Sequence, residues 1–407
     1  MFKQRDLYPN ILDFINDKRF AIITGARQVG KTSLLRALFA DLKTQGESVF
    51  FLSFEDPFIV DAINKHPEQV FNYMATIPKR IIDGQSEKKI FLLIDEVQYA
   101  KDPSHFLKFL YDTYEGNLKI VATGSSAFYI DRKFKDSLAG RKRVFRLNTL
   151  NLREYLVFQN KENLCNELDL SRQRPDYRSS YSAELNRNFW DYLRFGGYPA
   201  VALESDEREK RLTLDELKNA YVRRDVLESK ISNETHFYLL LRILAEQTGN
   251  LMNKNDLSNE LKIDVKTVDN YIQILEKCFH ISLLRPFFRN MRKELTKMPK
   301  VYFNDLGLRN ILVNRFDALP DRTDKGQLLE NYFFLRLNEK YDAEQLFFWH
   351  TTTGQEVDFV IRDTLTTGKA YEIKWAENKI TPNKYAPFTE AHPEFPLNFL
   401  SSMDYNW

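Results

Sequence analysis

The chain has 407 residues, 43% of them hydrophobic and 29% charged, with a formal net charge of +2. That length exceeds one ordinary core and argues for two or three domains, while the near-neutral charge excludes a globally basic nucleic-acid binder, so that any basic surface is local. Two distant cysteines, Cys165 and Cys278, lack metal-ligand spacing and fit a reducing cytoplasm better than a disulfide framework.

Met1-Phe2-Lys3-Gln4-Arg5-Asp6 shows no signal-peptide pattern, and residues 1–16 read as a short helical segment ahead of the first strand. Phe20-Ala21-Ile22-Ile23-Thr24 is β-branched and aromatic, a buried strand. Next comes Gly25-Ala26-Arg27-Gln28-Val29-Gly30-Lys31-Thr32, which matches the P-loop pattern G-x-x-x-x-G-K-[ST], with Ser33 opening a helix behind it. Glycines let successive N–H groups turn inward, and the helix points its positive end at the same spot. The expected ligand is a nucleoside triphosphate, ATP, with Lys31 on its β/γ oxygens and Mg²⁺ held by Thr32.

Ser48 to Phe54 forms the second strand, and Phe91-Leu92-Leu93-Ile94-Asp95-Glu96 the third. Four apolar residues ending in two carboxylates fit a Walker B strand. Asp95 would join Thr32 at Mg²⁺, and Glu96 would polarise the attacking water, a role worth about 10²–10⁴-fold in rate. The longest apolar runs, this one included, are too short to span a bilayer, and no membrane partner is expected. Leu118 to Thr123 is the fourth strand, ending in Gly124-Ser125-Ser126. Ser125 reads either as a sensor of the γ-phosphate or as a helix N-cap. Arg141 and Arg143, in the basic turn before a fifth strand, are either nucleotide-contacting arginine fingers or residues of a solvated turn. A finger would be worth about 10³–10⁵ in turnover. Alternating strands and helices across 1–150 make this an α/β unit, a P-loop parallel sheet with helices on both faces.

From Asn151 the pattern turns helical. A helical lid or linker is expected over 151–234, with a glycine-proline stop at Gly196-Gly197-Tyr198-Pro199 and a charged helix running to Arg223-Arg224-Asp225. Arg223 and Arg224 either reach a nucleotide or neighbouring subunit, or pair along their own helix with Asp225 or Glu228. Residues 235–305 follow the order of a winged helix: three helices, a strand, a basic loop and a second strand. The loop over 285–300 carries Arg285, Arg289, Arg292, Lys293, Lys297 and Lys300 against a single acid, Glu294. It is expected either to contact DNA or to be structural.

The last segment, 306–407, places Glu330 early in an amphipathic helix and then two strands, Glu356 to Ile361 and Ala370 to Trp375. Residues two apart share a strand face, so Glu372 and Lys374 point the same way; with Asp358 on the neighbouring strand they read either as a metal site or as surface charges alternating with core residues on half-buried strands. One or two Mg²⁺ ions there would activate a water against a phosphodiester, with Lys374 steadying the developing charge.

P-loop, Asp-Glu strand, Thr-Gly-Ser-Ser, Leu-Ala-Gly-Arg, Gly-Gly-Tyr-Pro and Arg-Asp-Val, in that order, resemble a prokaryotic AAA-like ATPase family. Its members carry a C-terminal domain of unknown function related to the PD-(D/E)xK nucleases. The resemblance implies an AAA-type core, a winged-helix segment and a small α/β restriction-endonuclease-like terminus. Val357, not proline, precedes Asp358, and no clear sensor arginine sits in a helical lid. Function is therefore expected to be ATP hydrolysis with DNA binding and cleavage. The alternative is an ATP-dependent switch or scaffold that binds a protein partner and carries an inactive nuclease-like fold, with a homo-oligomer compatible with either.

Overall fold

The computed structural model describes residues 2–74, 89–114, 116–124, 138, 140–174, 177–229, 231–288, 294, 295, 297–364, 366–376 and 381–405. They group into two compact units: Met1–Thr149 with Lys277–Phe279, and Leu150–Glu276 with His280–Trp407.

In the first unit α1 (Leu7–Asp13) precedes β1 (Phe20–Thr24), and α2 (Lys31–Thr44) follows the P-loop. Then come β2 (Ser48–Ser53), α3 (Pro57–Lys65), β3 (Ile90–Asp95), α4 (Pro103–Tyr114), β4 (Leu118–Gly124) and β5 (Lys142–Arg146). The sheet is parallel throughout, in the order β2-β3-β4-β1-β5. Every residue of β1, β3 and β4 is buried, which is why these central strands are predominantly apolar rather than alternating. Helix α2 turns Leu34, Leu35, Leu38 and Leu42 inward at helical spacing. Helix α3 starts where Asp56 accepts the Phe58 N–H at 2.9 Å with Pro57 in the first turn. Lys119 sits inside the apolar run of β4 because its ammonium donates to the carbonyls of Phe14, Asp17 and Arg19 at 2.9, 2.7 and 2.6 Å.

Helices dominate the start of the second unit: α5 (Leu152–Phe158), α6 (Glu162–Gln173), α7 (Ser182–Phe195), α8 (Pro199–Leu203), α9 (Glu207–Ser229), α10 (Glu234–Glu246), α11 (Lys254–Leu261) and α12 (Val265–Lys277). Helix α5 opens on a capping box in which the Asn151 side chain accepts the Glu154 N–H at 3.0 Å and the Glu154 carboxylate accepts the Asn151 N–H at 3.1 Å. A mixed sheet follows, built from β6 (Ile281–Pro286), β7 (Lys300–Phe303), β8 (Leu346–His350), β9 (Glu356–Arg362), β10 (Gly368–Lys374) and β11 (Leu397–Ser401). Helices α13 (Leu306–Val313), α14 (Lys325–Lys340) and α15 (Ala386–Ala391) are interleaved with these strands. The order is β11-β10-β9-β8-β6-β7. The two strands of the expected winged-helix hairpin also belong to this sheet: β6 pairs β7 antiparallel and β8 parallel. One apolar cluster joins Leu152, Tyr155 and Phe189 to Leu284, Tyr302, Tyr332, Phe359 and Ile373.

Two of the middle motifs prove to be packing features. The Gly197 N–H donates to Asp305 at 2.8 Å, and its carbonyl accepts the Leu150 N–H at 2.7 Å. Asp225 is buried against His280 Nε2 at 2.5 Å, and Arg224 pairs with Glu228 one turn along α9.

A buried ion network closes the turn between α13 and α14. Asp324 accepts from Arg322 Nε and Nη2 at 2.8 and 2.7 Å and from Arg309, itself 1% exposed. Burial would raise the Asp324 carboxyl, yet Arg322 and Arg309 outweigh it and hold it below the ordinary carboxylate range. Asp324→Ala strands two buried guanidinium groups and is expected to cost about 3–5 kcal/mol in urea unfolding. Because the folded value is depressed, this stabilisation is present above the unfolded value of about 4 and fades as pH falls below it. The variant should lose that acid-side dependence.

Candidate functional site

Two centres carry the chemistry, one in each unit. In the first, the P-loop leaves β1 at Gly25, where a Cβ would stand 2.0 Å from the Leu147 carbonyl oxygen; only glycine passes so close. Gly30 has φ 97°, a left-handed value that lets the chain turn into α2. Gln28 shares that region at φ 56°. The Leu34 N–H bonds the Gly30 carbonyl at 2.9 Å, so the amides of Lys31, Thr32 and Ser33 precede the first turn's own bond. Arg5, from the segment before α1, braces the loop by donating to the Val29 carbonyl and to Asn148, each at 2.7 Å. Ala26 and Val29 are buried, Arg27 is half-buried and Gln28 is exposed. Lys31 is 5% exposed and donates to the carbonyls of Gly25 and Ala26 at 2.9 and 2.7 Å. Burial pushes its ammonium down to about 8, with Glu96 pulling the other way.

The order β3-β4-β1 brings the acids of β3 to the loop that follows β1. Thr32 Oγ1 donates to Asp95 Oδ2 at 2.8 Å across 63 residues of chain. Asp95 Oδ1 accepts from Thr123 Oγ1, which in turn accepts the Glu96 N–H at 3.0 Å. Glu96 stands in left-handed backbone, φ 57° and ψ 49°, with its carboxylate bonded by Gln98 Nε2. Thr123 is the hydroxyl beside the acids, a role that sequence reasoning passed over for Ser125; its only sequence signal is a polar residue closing an apolar strand. Ser125 lies outside the described residues. The hydroxyl of Thr32 and the carboxylate of Asp95 are hard oxygen donors, and they fit Mg²⁺.

Arg141 requires a correction. It precedes β5, whose Lys142 pairs with Phe20 at the start of β1, so it lies at the end of the sheet opposite the P-loop. Its guanidinium is committed to Asp112 at 2.7 Å. A parallel register cannot bring this side chain to the chain's own nucleotide centre. Arg143, exposed on the same strand, lies over Phe14 and Phe145. Arg146, paired with Thr24, is the β5 arginine at the P-loop end.

The second centre is assembled on antiparallel β9 and β10. The Asp358 N–H donates to Glu372 Oε2 at 3.3 Å, and Asp358 Oδ2 accepts the Ile373 N–H at 2.8 Å. Glu372 Oε1 takes the Lys374 ammonium and the Tyr385 hydroxyl, the latter at 2.8 Å. The three expected residues are thus together, and Glu330 of α14 joins them. Burial, then Glu330 and Glu372, push the Asp358 carboxyl well above its usual range against Lys300; burial raises Glu372 against Lys374. Burial would lower the Lys374 ammonium, yet Glu372 outweighs it and keeps it above the ordinary lysine value. The paired carboxylates of Asp358 and Glu372 fit a hard divalent cation.

Two charges assigned to the basic loop are corrected. Lys300 is 1% exposed and ion-paired with Glu330 at 2.9 Å and Glu356 at 2.5 Å, because β7 aims it at α14 and β9. Glu294 is buried and paired with Arg362 of β9. Arg285 and Lys297 are exposed; Arg289, Arg292 and Lys293 lie outside the described residues. No helix among the described residues is long and apolar enough to cross a membrane.

Comparison with known proteins follows this division. Residues 17–156 match the AAA domain family, 186–319 a domain of unknown function (DUF8612) and 325–400 a second domain of unknown function (DUF4143). Uncharacterized protein MJ1637 of Methanocaldococcus jannaschii is 32% identical over 79% of this chain and 69% of its own length. An uncharacterized protein of Haemophilus influenzae is 24% identical over 92% of this chain and 88% of its own. The ORC2 protein of Aeropyrum pernix in its ADP form covers 76% of this chain and 90% of its own at 14% identity and a TM-score of 0.38, too distant a likeness to carry an argument. With a P-loop unit that matches the AAA domain, a terminus that matches DUF4143 and a relative of this identity and span, the chain belongs to the prokaryotic AAA-like P-loop ATPase family with a C-terminal domain of unknown function.

Proposed function

We propose that the chain hydrolyses ATP in its first unit and that its second unit engages DNA and cuts it. The observation that carries the reading is the Thr32–Asp95 bond of 2.8 Å, which joins the P-loop helix to the acid strand in the way a triphosphate-splitting centre requires. Loop amides and Lys31 bind the phosphates, and Thr32 and Asp95 would hold Mg²⁺. That ion, when bound, supplies charge neutralisation at the phosphate oxygens. Glu96, one residue beyond the strand, accepts the proton of the attacking water.

The cleavage arm is supported by the meeting of Asp358, Glu372 and Lys374, which together fit the PD-(D/E)xK pattern. A divalent ion at the two carboxylates would supply Lewis acidity, and Lys374 places a fixed positive charge beside them. The DNA arm is supported by α11 and α12, which form a helix pair ahead of the β6–β7 strands, and by exposed Arg285 and Lys297. Each phosphate contact contributes about −0.9 to the slope of log affinity against log salt. Arg285→Ala with Lys297→Ala should therefore flatten that slope by about 1.8, whereas Lys300→Met should leave it unchanged.

A second reading, a nucleotide-set switch that binds a protein partner, is favoured by one feature: Lys300 and Arg362 spend their charge inside the fold. The ATPase rate with and without single-stranded, duplex and branched DNA separates the two. Stimulation by any DNA form supports the first reading, and a rate indifferent to all of them with no binding by titration rejects it. Absence of Mg–ATP uptake by folded protein in calorimetry rejects both.

A further inference from the structure

Glu330 of α14 and Glu356 and Asp358 of β9 each bring a carboxylate oxygen within 4.8 Å of the other two. Carboxylates so close need a proton on one of them or a cation between them. Here the chain supplies its own. Lys300 Nζ lies 2.9 Å from Glu330, 2.5 Å from Glu356 and 3.8 Å from Asp358. Two of the ammonium's donors go to Glu330 and Glu356, and Asp358 faces the same charge from beyond hydrogen-bond reach.

The placement is built rather than incidental. Lys300 pairs with Leu284 across the β6–β7 ladder and bridges to Leu251 on its other side, so its backbone is fixed from both flanks. Tyr302, two residues on and on the same face, donates to Glu330 Oε1 at 2.6 Å and anchors that carboxylate. Lys300 and Tyr302 come from the stretch matching DUF8612, whereas the carboxylates come from the one matching DUF4143. A divalent cation would need the same oxygens at about 2.0–2.6 Å, and it cannot share a triangle of this size with an ammonium.

We propose that Lys300 is the resident cation of the Glu330–Glu356–Asp358 triangle, and that it excludes a metal ion from that position. The inference rests on the metal-dependent reading of this centre. It makes the centre a one-ion site, with a divalent cation confined to the Asp358–Glu372 side. Glu330 and Glu356 are then positioning residues for Lys300 rather than metal ligands.

The test is a count of Mn²⁺ ions bound by the full chain without nucleotide, read from the electron paramagnetic resonance signal of free Mn²⁺. Lys300→Met should bind one ion more than the wild type, and adding Glu356→Gln to that variant should remove the extra ion. Should Lys300→Met not fold, Lys300→Gln, which keeps a donor to Glu330, carries the same comparison. Equal or lower counts in the Lys300 variant overturn the proposal. A wild type that binds no Mn²⁺ beside a variant that binds one supports the role of Lys300 while removing the ion from Asp358 and Glu372. One ion in each overturns the role of Lys300.

Discussion

Glu96→Gln is expected to reduce ATP turnover by about 10²–10⁴-fold while leaving Mg–ATP affinity within a few-fold of the wild type. The amide keeps the volume of the carboxylate and can still bond to Gln98, but it cannot take a proton from water. The backbone at this position is held independently of the side chain, by the Glu96 N–H on Thr123 at 3.0 Å, so the substitution leaves the strand end in place. Phosphate release under saturating ATP and calorimetric binding check the two halves separately. Hydrolysis equal to the wild type removes Glu96 from the role of base. Lys31→Ala should fail in the opposite way, losing affinity, because its ammonium is the buried cation of the loop. Burial brings that ammonium down to about 8, and an incoming polyphosphate raises it again. Between about pH 8 and the raised value of the complex, binding should take up as much as one proton. Calorimetry in buffers of different ionisation enthalpy measures it.

Lys374→Ala is expected to lower divalent-dependent DNA nicking by at least about 10²–10³-fold, the scale for removing one fixed charge-stabilising group, with ATP turnover unchanged. Its ammonium sits on Glu372 and stays protonated through the neutral range, so the lysine acts as a fixed charge and contributes no limb to the pH profile near neutrality. Asp358 behaves otherwise. Burial with Glu330 and Glu372 nearby raises its carboxyl well above the usual range. It must ionise to hold a cation, so nicking should fall away on the acid side at a higher pH than an ordinary carboxylate would dictate. Supercoiled plasmid relaxation in Mg²⁺ or Mn²⁺ reads both effects. A wild type that nicks no DNA form removes the cleavage arm and leaves the switch reading.

Burial explains why some charges were legible and others were not. Asp95, Glu96, Glu372 and Lys374 stand at strand ends or at a two-residue spacing, where the backbone alone dictates which way each points. Lys300 and Glu294 look like ordinary members of a charged loop, and only their partners, Glu330, Glu356 and Arg362, take them out of solvent. Arg141 lies away from the chain's own P-loop for a topological reason. Its distance in sequence from the P-loop says nothing about which end of β5 it occupies until the register against β1 is known.

The amino-acid sequence by itself determined the P-loop, the acid strand, the E-x-K strand and the alternation that makes the first unit a parallel α/β sheet. Each is written in contiguous residues, with glycine conformations and 2.0 or 3.6 periodicities that need no distant partner. Only the tertiary structure decided that Thr123 bridges Asp95 and Glu96, that the expected wing belongs to a six-stranded sheet, and that Lys300 neutralises an acidic triangle. Those outcomes depend on pairings between segments far apart in the chain, and charge neutralisation in particular is a property of the space around a group rather than of its neighbours in sequence.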